Sequence, residues 1–423
     1  MKYQYVNRSF FLTLVAELIG FVMNAQTPSQ LLLARDSSFR NSFAMVMADA
    51  EGGVGSPVLD RRFFSTMTLG GRLNDWHTEM LLFDMDEVNR VGLSGRGQLS
   101  FYGMADTIAG RSDLGLRVSI ASSWYGQAGF SRGLYELIFK GNANHVGDSM
   151  ALGPFSGQYQ TWQKFGLGVF NKRTFSGATL SFVTGQDFQR LEVRDASLYT
   201  NLLADSLSMS YTGEYMRSDT ANKGWGAGNG LGMALDLEYN RPLAGNNGFI
   251  SLTLRDFGVV GWNKNTEVYQ FDSVTTWQGY STEQLFGLDG GPIVSPNWRD
   301  SIDVEMERGV KWQMLPFSVH LRMLRYFTTN TLMDFSIRLQ PGHYSVPLVQ
   351  AGLSHFIGDR MILSGRAGVG GFGTFSLGAE VQWMPGGNWY LRAGTNNAAG
   401  LIMPAARSID AFATVAYFFD RKQ

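Results

Sequence analysis

Residues 231–264 read LGMALDLEYN-RPLAGN-NGFISLTLRDFGVVGWNK, and this stretch decides the fold. In its first arm Leu231, Met233, Leu235, Leu237 and Tyr239 alternate with Gly232, Ala234, Asp236, Glu238 and Asn240. That period of two makes a strand with one apolar face and one polar face. Pro242, Gly245, Asn246 and Asn247 supply a turn, after which Ile250, Leu252 and Leu254 alternate with Ser251, Thr253 and Arg255. The two arms form a hairpin. Arms of this kind, about ten residues long and repeated along a chain, are the pattern of a transmembrane β-barrel whose apolar side faces lipid and whose polar side faces the lumen.

The same pattern extends in both directions. Met333, Phe335, Ile337 and Leu339 alternate with Asp334, Ser336, Arg338 and Gln340; Phe375, Leu377, Ala379, Val381 and Trp383 alternate with Thr374, Ser376, Gly378, Glu380 and Gln382. Toward the N-terminus the arms near Gly97, Leu114, Gly177, Phe188 and Leu207 are weaker. Together they predict an all-β, antiparallel transmembrane barrel of about 14 strands over residues 61–423. One short loop helix is expected at Ser131 to Lys140, where Leu134, Leu137 and Ile138 are spaced by three and four. A polar insertion between Asn265 and Arg308 reads as a long external loop. A soluble sandwich or propeller shares the period of two, but no blade repeat is visible, and aromatics such as Trp124, Trp383, Trp389, Tyr390, Tyr417 and Phe418 sit near strand ends.

Lys2 and Arg8 precede an apolar run from Phe10 to Met23, with Ala25 at a cleavage position, so residues 1–25 read as a secretory signal peptide. The run is shorter than the ~20 residues of a membrane-spanning helix. Residues 26–60 carry Arg35, Asp36, Arg40, Asp49 and Glu51 and show no long alternation. They are expected to form a plug or periplasmic lead-in that obstructs the lumen, because about 14 strands enclose more space than the wall side chains of eight would fill.

Net charge is -1 over 423 residues. This gives no basic surplus for nucleic acid. Gly numbers 51 and aromatics reach 13%, while charged residues are only 17%, a balance that suits turns, small lumenal residues and interfacial aromatic girdles. Cysteine is absent, which excludes thiolate metal sites and a Cys nucleophile. His77, His145, His320, His343 and His355 show no paired spacing, so neither a metal nor another cofactor is expected. Gly368 to Gly373 fits the dinucleotide pattern literally, yet a strand follows it where a helix is required, and a hairpin turn is the better reading.

Three stretches carry a resemblance: Asp256 to Asn265 (DFGVVGWNKN), Leu134 to Gly147 (LYELIFKGNANHVG) and Asn89 to Gly92 (NRVG). On them the chain resembles a Bacteroidetes family of outer-membrane β-barrels without assigned function, similar in build to FadL-like transporters and PorV-like type IX secretion barrels. The resemblance implies an outer-membrane location in a Gram-negative cell and contact with outer-membrane lipid; no enzymatic activity is expected, because nothing in the local sequence singles out Asp334, Ser336 and His320 as a catalytic set. The resemblance also implies either passage of a small hydrophobic or amphipathic molecule, or a non-conducting barrel that docks secreted or surface proteins.

The polar face gives the candidate lumen residues: Asp236, Glu238, Arg255, His320, Arg322, Asp334, Arg338, Arg366 and Glu380. Both signs are present, so ion pairs across the lumen are expected rather than selective conduction. Pro316 falls in the strand-like stretch Lys311 to Leu324 and cannot donate to a ladder, which marks a candidate strand interruption and lateral exit.

Overall fold

The computed structural model of the chain describes residues 42–104, 107–108, 110–243, 245, 247–277, 304–341, 344, 346–386 and 388–420. The expected signal peptide and residues 26–41 lie outside them, as do 278–303 of the polar insertion and His343.

Nineteen strands form one sheet. They are β1 (Ser42–Gly55), β2 (Val88–Gly103), β3 (Leu114–Ser131), β4 (Ser149–Ala151), β5 (Phe155–Asn171), β6 (Gly177–Thr200), β7 (Leu207–Arg217), β8 (Gly230–Pro242), β9 (Gly248–Trp262) and β10 (Glu267–Trp277). The remainder are β11 (Val304–Arg308), β12 (Lys311–Met314), β13 (Ser318–Tyr326), β14 (Thr331–Leu339), β15 (Val346–Ile357), β16 (Met361–Gly371), β17 (Gly373–Trp383), β18 (Trp389–Thr395) and β19 (Ser408–Asp420). Fourteen of them, β1, β2, β3, β5, β6, β8, β9 and β13 to β19, close an antiparallel barrel, with Ser42 of β1 opposite Asp420 of β19.

Among the described residues the barrel starts at residue 42 and not at 61. The expected plug of 26–60 is corrected: its described part, β1, is a wall strand that pairs with β2 from Ala44 opposite Gly103 to Gly55 opposite Gly92. The alternation is hidden there because Met45 and Met47 are buried inside while the outward positions carry small residues such as Ala48 and Ala50. Both faces then look weakly apolar.

Ser42, Asp420 and the short turns 172–176, 243–247, 327–330 and 358–360 share one end, which in outer-membrane barrels faces the periplasm. The long connections rise from the other. Among the described residues three nine-residue helices lie there, α1 (Arg61–Leu69), α2 (Asp75–Phe83) and the one expected, α3 (Arg132–Lys140). Asp60, Asn74 and Ser131 cap them by accepting from the backbone N–H three residues on. Their apolar residues pack with Val91 of β2 and Phe130 of β3, so the helices lean on the outer flank of the barrel. A one-turn helix, α4 (Ala399–Ile402), completes this rim.

On one side the wall continues beyond the ring. β6 runs for 24 residues; its first part pairs with β8 and its last with β7, and β10 and β11 follow in order. The insertion expected as a loop thus begins and returns as strands. Glu267 ties this extension together, receiving hydrogen bonds from Tyr269 Oη (2.7 Å), Arg308 Nη2 (2.6 Å) and Arg217 Nε (2.7 Å).

Outward residues of the ring are apolar and exposed, among them Leu237, Leu252, Phe335, Leu377 and Val381. Phe43, Trp389, Tyr417 and Phe419 form an aromatic girdle at the short-turn end, with Phe43–Phe419 at 6.1 Å and Trp389–Tyr417 at 4.9 Å. Tyr390 and Phe418 point inward instead. Charge on the lipid face at the bilayer midplane costs about 2–4 kcal/mol. Arg at Phe335 should therefore impair insertion into lipid vesicles far more than Arg at the inward Ser336; equal folding yields would refute this register.

The Tyr269 hydroxyl, then Arg308 and Arg217, hold the Glu267 carboxyl down from its ordinary 4.5 to about 2. A depressed carboxyl contributes stability above its unfolded value and loses it as pH falls toward the folded one. Between pH 4.5 and 2 the extension should become cleavable by pepsin, and Glu267→Gln should be cleaved at pH 4.5 as the unmodified chain is near pH 2. Identical digestion of the two chains across this window would refute the role of Glu267.

Candidate lumenal site

The lumen is filled in three layers. At the short-turn end the inward positions of the strands are apolar: Met45, Met47, Tyr102, Leu324, Leu332, Phe356, Ile362, Tyr390 and Phe418 pack into one buried cluster. Phe170 and Phe175 stack on each other at 5.5 Å and meet Tyr102 edge-on, at 5.1 and 6.3 Å from its ring. This floor closes the lumen with wall side chains, the role expected of the N-terminal segment.

Above the floor lies a belt of charge. All nine candidate lumen residues project into it, and the structure joins most of them. Lys164 Nζ binds Asp236 (2.7 Å) and Asp256 (2.6 Å), Arg96 Nη1 binds Asp256 (3.1 Å), and Arg117 Nη1 binds Glu238 (3.0 Å). A second knot has Arg322 paired in two-pronged fashion with Asp334 (2.9 and 2.5 Å), and Glu380 held by Arg366 (2.8 Å) and Arg392 (2.9 Å). Glu51 lies 3.6 Å from both Arg255 and Arg338. His320 lies among Arg338, Arg322, Arg366 and Arg255.

The local structure explains how long charged side chains fit. Ser100, Ser119, Gly166, Ser181, Ala234 and Gly258 stand opposite one another on six successive strands, an inward row of small residues. A Cβ on Gly166 would lie 2.5 Å from Ser119 Oγ. Arg117 and Lys164, two residues before Ser119 and Gly166, rise beside this row into the space it leaves. Asp256 has φ 59, and the ladder between β8 and β9 shifts register at Leu235/Leu237. It is a β-bulge in a position where Asp is tolerated. The bulge turns Arg255 and Asp256 both inward and sends Phe257 and Val259 to lipid. The Asp256 N–H donates to Asp236 Oδ1 at 2.7 Å.

Sequence reasoning missed Arg96, Arg117, Lys164, Asp256 and Arg392, and placed Asp49 and Glu51 in a plug. Arg117 and Arg392 carried a usable signal, since Leu116 and Val118, and Leu391 and Ala393, flank them. Asp256 carried none: plain alternation places it outward with Leu252 and Leu254, and only the bulge turns it in.

Toward the long-loop end the aromatic Tyr125, Trp162, Phe188 and Trp262 form an apolar cluster with Val183, Met216, Ala234, Val260, Val268 and Leu315, Phe188 and Trp262 being stacked at 5.2 Å. Beside it the wall is interrupted. β12 pairs with β9 up to Met314 opposite Val259, and β13 resumes at Ser318 opposite Arg255. Pro316 sits in the gap, where only Leu315 N–H reaches across, to Gly258 O (2.9 Å). Leu315 is buried in the aromatic cluster, while Phe317 meets Phe257 edge-on at 5.7 Å on the lipid side.

Removing one partner of a buried charge cluster costs about 3–5 kcal/mol, because the other is left unpaired. Glu380→Gln leaves Arg366 and Arg392 without their carboxylate and should lower the urea midpoint of the refolded barrel strongly. Ser364→Ala, beside it, removes only a neutral hydrogen bond to Ser354 and should lower it by much less. Equal midpoints for Glu380→Gln and the unmodified chain would refute the belt as a stabilising element.

Residues 62–391 match the model of a family described as Family of unknown function (DUF5723). Among curated proteins none matches in sequence. Solved structures with similar folds include the deltaS2S3 mutant of the monoaromatic hydrocarbon channel TodX (TM-score 0.46, 8% identity, 94% of this chain and 96% of that one). They also include the toluene transporter TbuX of Ralstonia pickettii (0.41, 9%, 95% of each) and a FadL homologue of Pseudomonas aeruginosa (0.30, 10%, 89% and 90%). Likeness at this level carries no information about a ligand. The family match covers most of the barrel, from α1 into β18, and the chain belongs to DUF5723, a family of unknown function.

Proposed function

We propose that this barrel passes a small hydrophobic or amphipathic molecule from its long-loop end sideways into the outer membrane. The observation that carries this reading is the wall break at Leu315–Pro316–Phe317, which touches the aromatic cluster on its inner side and the lipid-facing Phe257 on its outer side. Below the cluster the charged belt would cost an apolar molecule its favourable surroundings, and the floor blocks the axis. A solute that enters the cluster therefore has one apolar way out, through the wall.

A second reading, a non-conducting barrel that docks secreted or surface proteins, is favoured by a different observation. The helical rim exposes Leu69, Trp76, Phe83 and Ile402, an apolar display larger than a solitary surface residue.

The absence of cysteine makes a lock simple to build. In cells with an intact lipopolysaccharide barrier, the barrel should speed entry of the apolar dye N-phenylnaphthylamine. A Phe257→Cys, Phe317→Cys pair should abolish that gain when oxidised and restore it when reduced. Dye entry that ignores the lock would sink lateral passage and leave docking as the better reading.

A further inference from the structure

Helix α2 is apolar on two opposite sides. His77, Thr78, Leu81 and Leu82 are buried on the side that packs toward the wall. Trp76, Met80 and Phe83, spaced by four and three, form a second stripe on the far side, and they are exposed, Trp76 by 63% and Phe83 by 85%. Asp75 and Glu79 separate the two stripes along one edge, where Glu79 pairs with Lys140 of α3 at 3.2 Å. A helix that rests on a protein in water carries its charges on the outer face, and α2 does not.

The wall fixes the direction and the height of that outer stripe. Leu81 and Leu82 pack in a cluster with Val91 of β2 and Phe130 of β3. The ladder between these two strands runs without a register shift, and Val91 is eight residues from Leu99 and Phe130 ten from Ile120. Even steps put all four side chains on the lipid face. The outer stripe of α2 therefore points away from the barrel, as the exposed Leu99 and Ile120 do. The height follows from the strand. Phe101 is exposed just above the aromatic girdle, since Gly103 lies opposite Ala44, next to Phe43. From Phe101 to Val91 is ten residues. At about 3.4 Å per residue and a tilt of about 40° they climb roughly 26 Å, and the apolar band of an outer-membrane barrel is about 25 Å tall. The helix thus stands at the upper edge of the band, where acyl chains give way to headgroups.

We propose that α2 lies in the outer leaflet, with Trp76, Met80 and Phe83 sunk into the boundary between the acyl chains and headgroups of the lipid around the barrel. Continuity selects lipid over a protein partner: the stripe prolongs the lipid-facing surface of β2 and β3, in the same direction and at its upper limit. Helices of this kind bury the apolar face about 5–10 Å into that boundary. Trp suits the level, with an apolar ring and one N–H for the headgroups. The part of the rim that a docking barrel would offer to a protein is then already covered. None of these residues belongs to the wall break, so lateral passage stands or falls separately.

The chain has no cysteine, so single cysteines report position by position. Trp76→Cys and Phe83→Cys are spin-labelled beside two references, Leu99→Cys on the lipid face and Asp205→Cys in the exposed turn between β6 and β7. The labelled full chains are inserted into vesicles of phosphatidylethanolamine, phosphatidylglycerol and lipopolysaccharide, with insertion verified by heat-modifiable gel migration. Power saturation then compares collisions with oxygen, which concentrates in lipid, and with a water-soluble nickel chelate. The oxygen-to-nickel ratio at positions 76 and 83 should exceed that at 205 several-fold and approach that at 99. A ratio equal to that at 205 would overturn lipid seating and leave the stripe to a partner from solution. Low collision with both reagents, together with dipolar broadening that vanishes on dilution with unlabelled chain, would show a second copy on the stripe and overturn it as well. Met80→Cys is read in the same way should either of the other two fail to insert.

Discussion

Charge neutrality inside a closed wall is the constraint on which the rest of the barrel depends. Eight cations (Arg96, Arg117, Lys164, Arg255, Arg322, Arg338, Arg366, Arg392) and eight anions (Asp49, Glu51, Asp236, Glu238, Asp256, Asp334, Glu380, Asp410) occupy one belt. An unpaired ion there would cost several kcal/mol, and a matched set recovers that cost only with close geometry. Long side chains must therefore meet across a lumen about 14 strands round, and the wall is shaped to let them. The row of small residues from Ser100 to Gly258 and the bulge at Asp256 are the two local devices that do so. A lumen neutralised in this way has little to offer a passing ion.

How much of this was legible in the sequence follows from which faces differ. Where one face is lipid and the other is the belt, as in β8, β14 and β17, the contrast between Leu and Asp or Phe and Ser is large and the strand can be read directly. Where the inward face belongs to the floor, both faces are apolar and the alternation fades. β1 is the clearest case: Met45 and Met47 point in, so the strand looked like part of a plug although Asp49 and Glu51 further along it face the belt. Tyr390 and Phe418 were read with the interfacial aromatics for the same reason, since composition near a strand end does not distinguish a girdle from a floor. The nine candidate lumen residues came from strands of high contrast. Their partners Arg96 and Lys164 came from stretches whose alternation is interrupted by Gly or by a register shift at Thr161/Trp162.

The floor also explains why no separate plug is needed to close the described lumen. Fourteen buried apolar side chains, from nine of the fourteen ring strands and the turns beside them, pack there as in a protein core. The other end is different in kind. There the strands differ in height, β6 runs on into an external sheet while β14 and β18 stop early, and the inner surface carries the apolar cluster around Phe188 and Trp262. Among the described residues the lumen is closed below by the floor and lined above by the apolar cluster.

The bulge and the wall break are one feature seen from two strands. Between the paired positions Arg255–Ser318 and Val259–Met314, residues 256–258 of β9 face 315–317. A bulge adds local twist and carries the strand away from its neighbour. The ladder on that side cannot continue through it, and a residue with no N–H to donate costs nothing in the gap. Pro316 occupies that position. The carboxylate that forms the bulge, Asp256, is also the one that binds Arg96 and Lys164 in the belt. The segment DFGVVGWNKN therefore combines three duties in ten residues: Asp256 anchors the lumenal charges, Phe257 seals the break against lipid, and Trp262 stacks in the cluster above. Any shift of Asp256 toward or away from the belt must move the edge of the break with it. The charged lumen and the lateral wall are mechanically joined at this one residue.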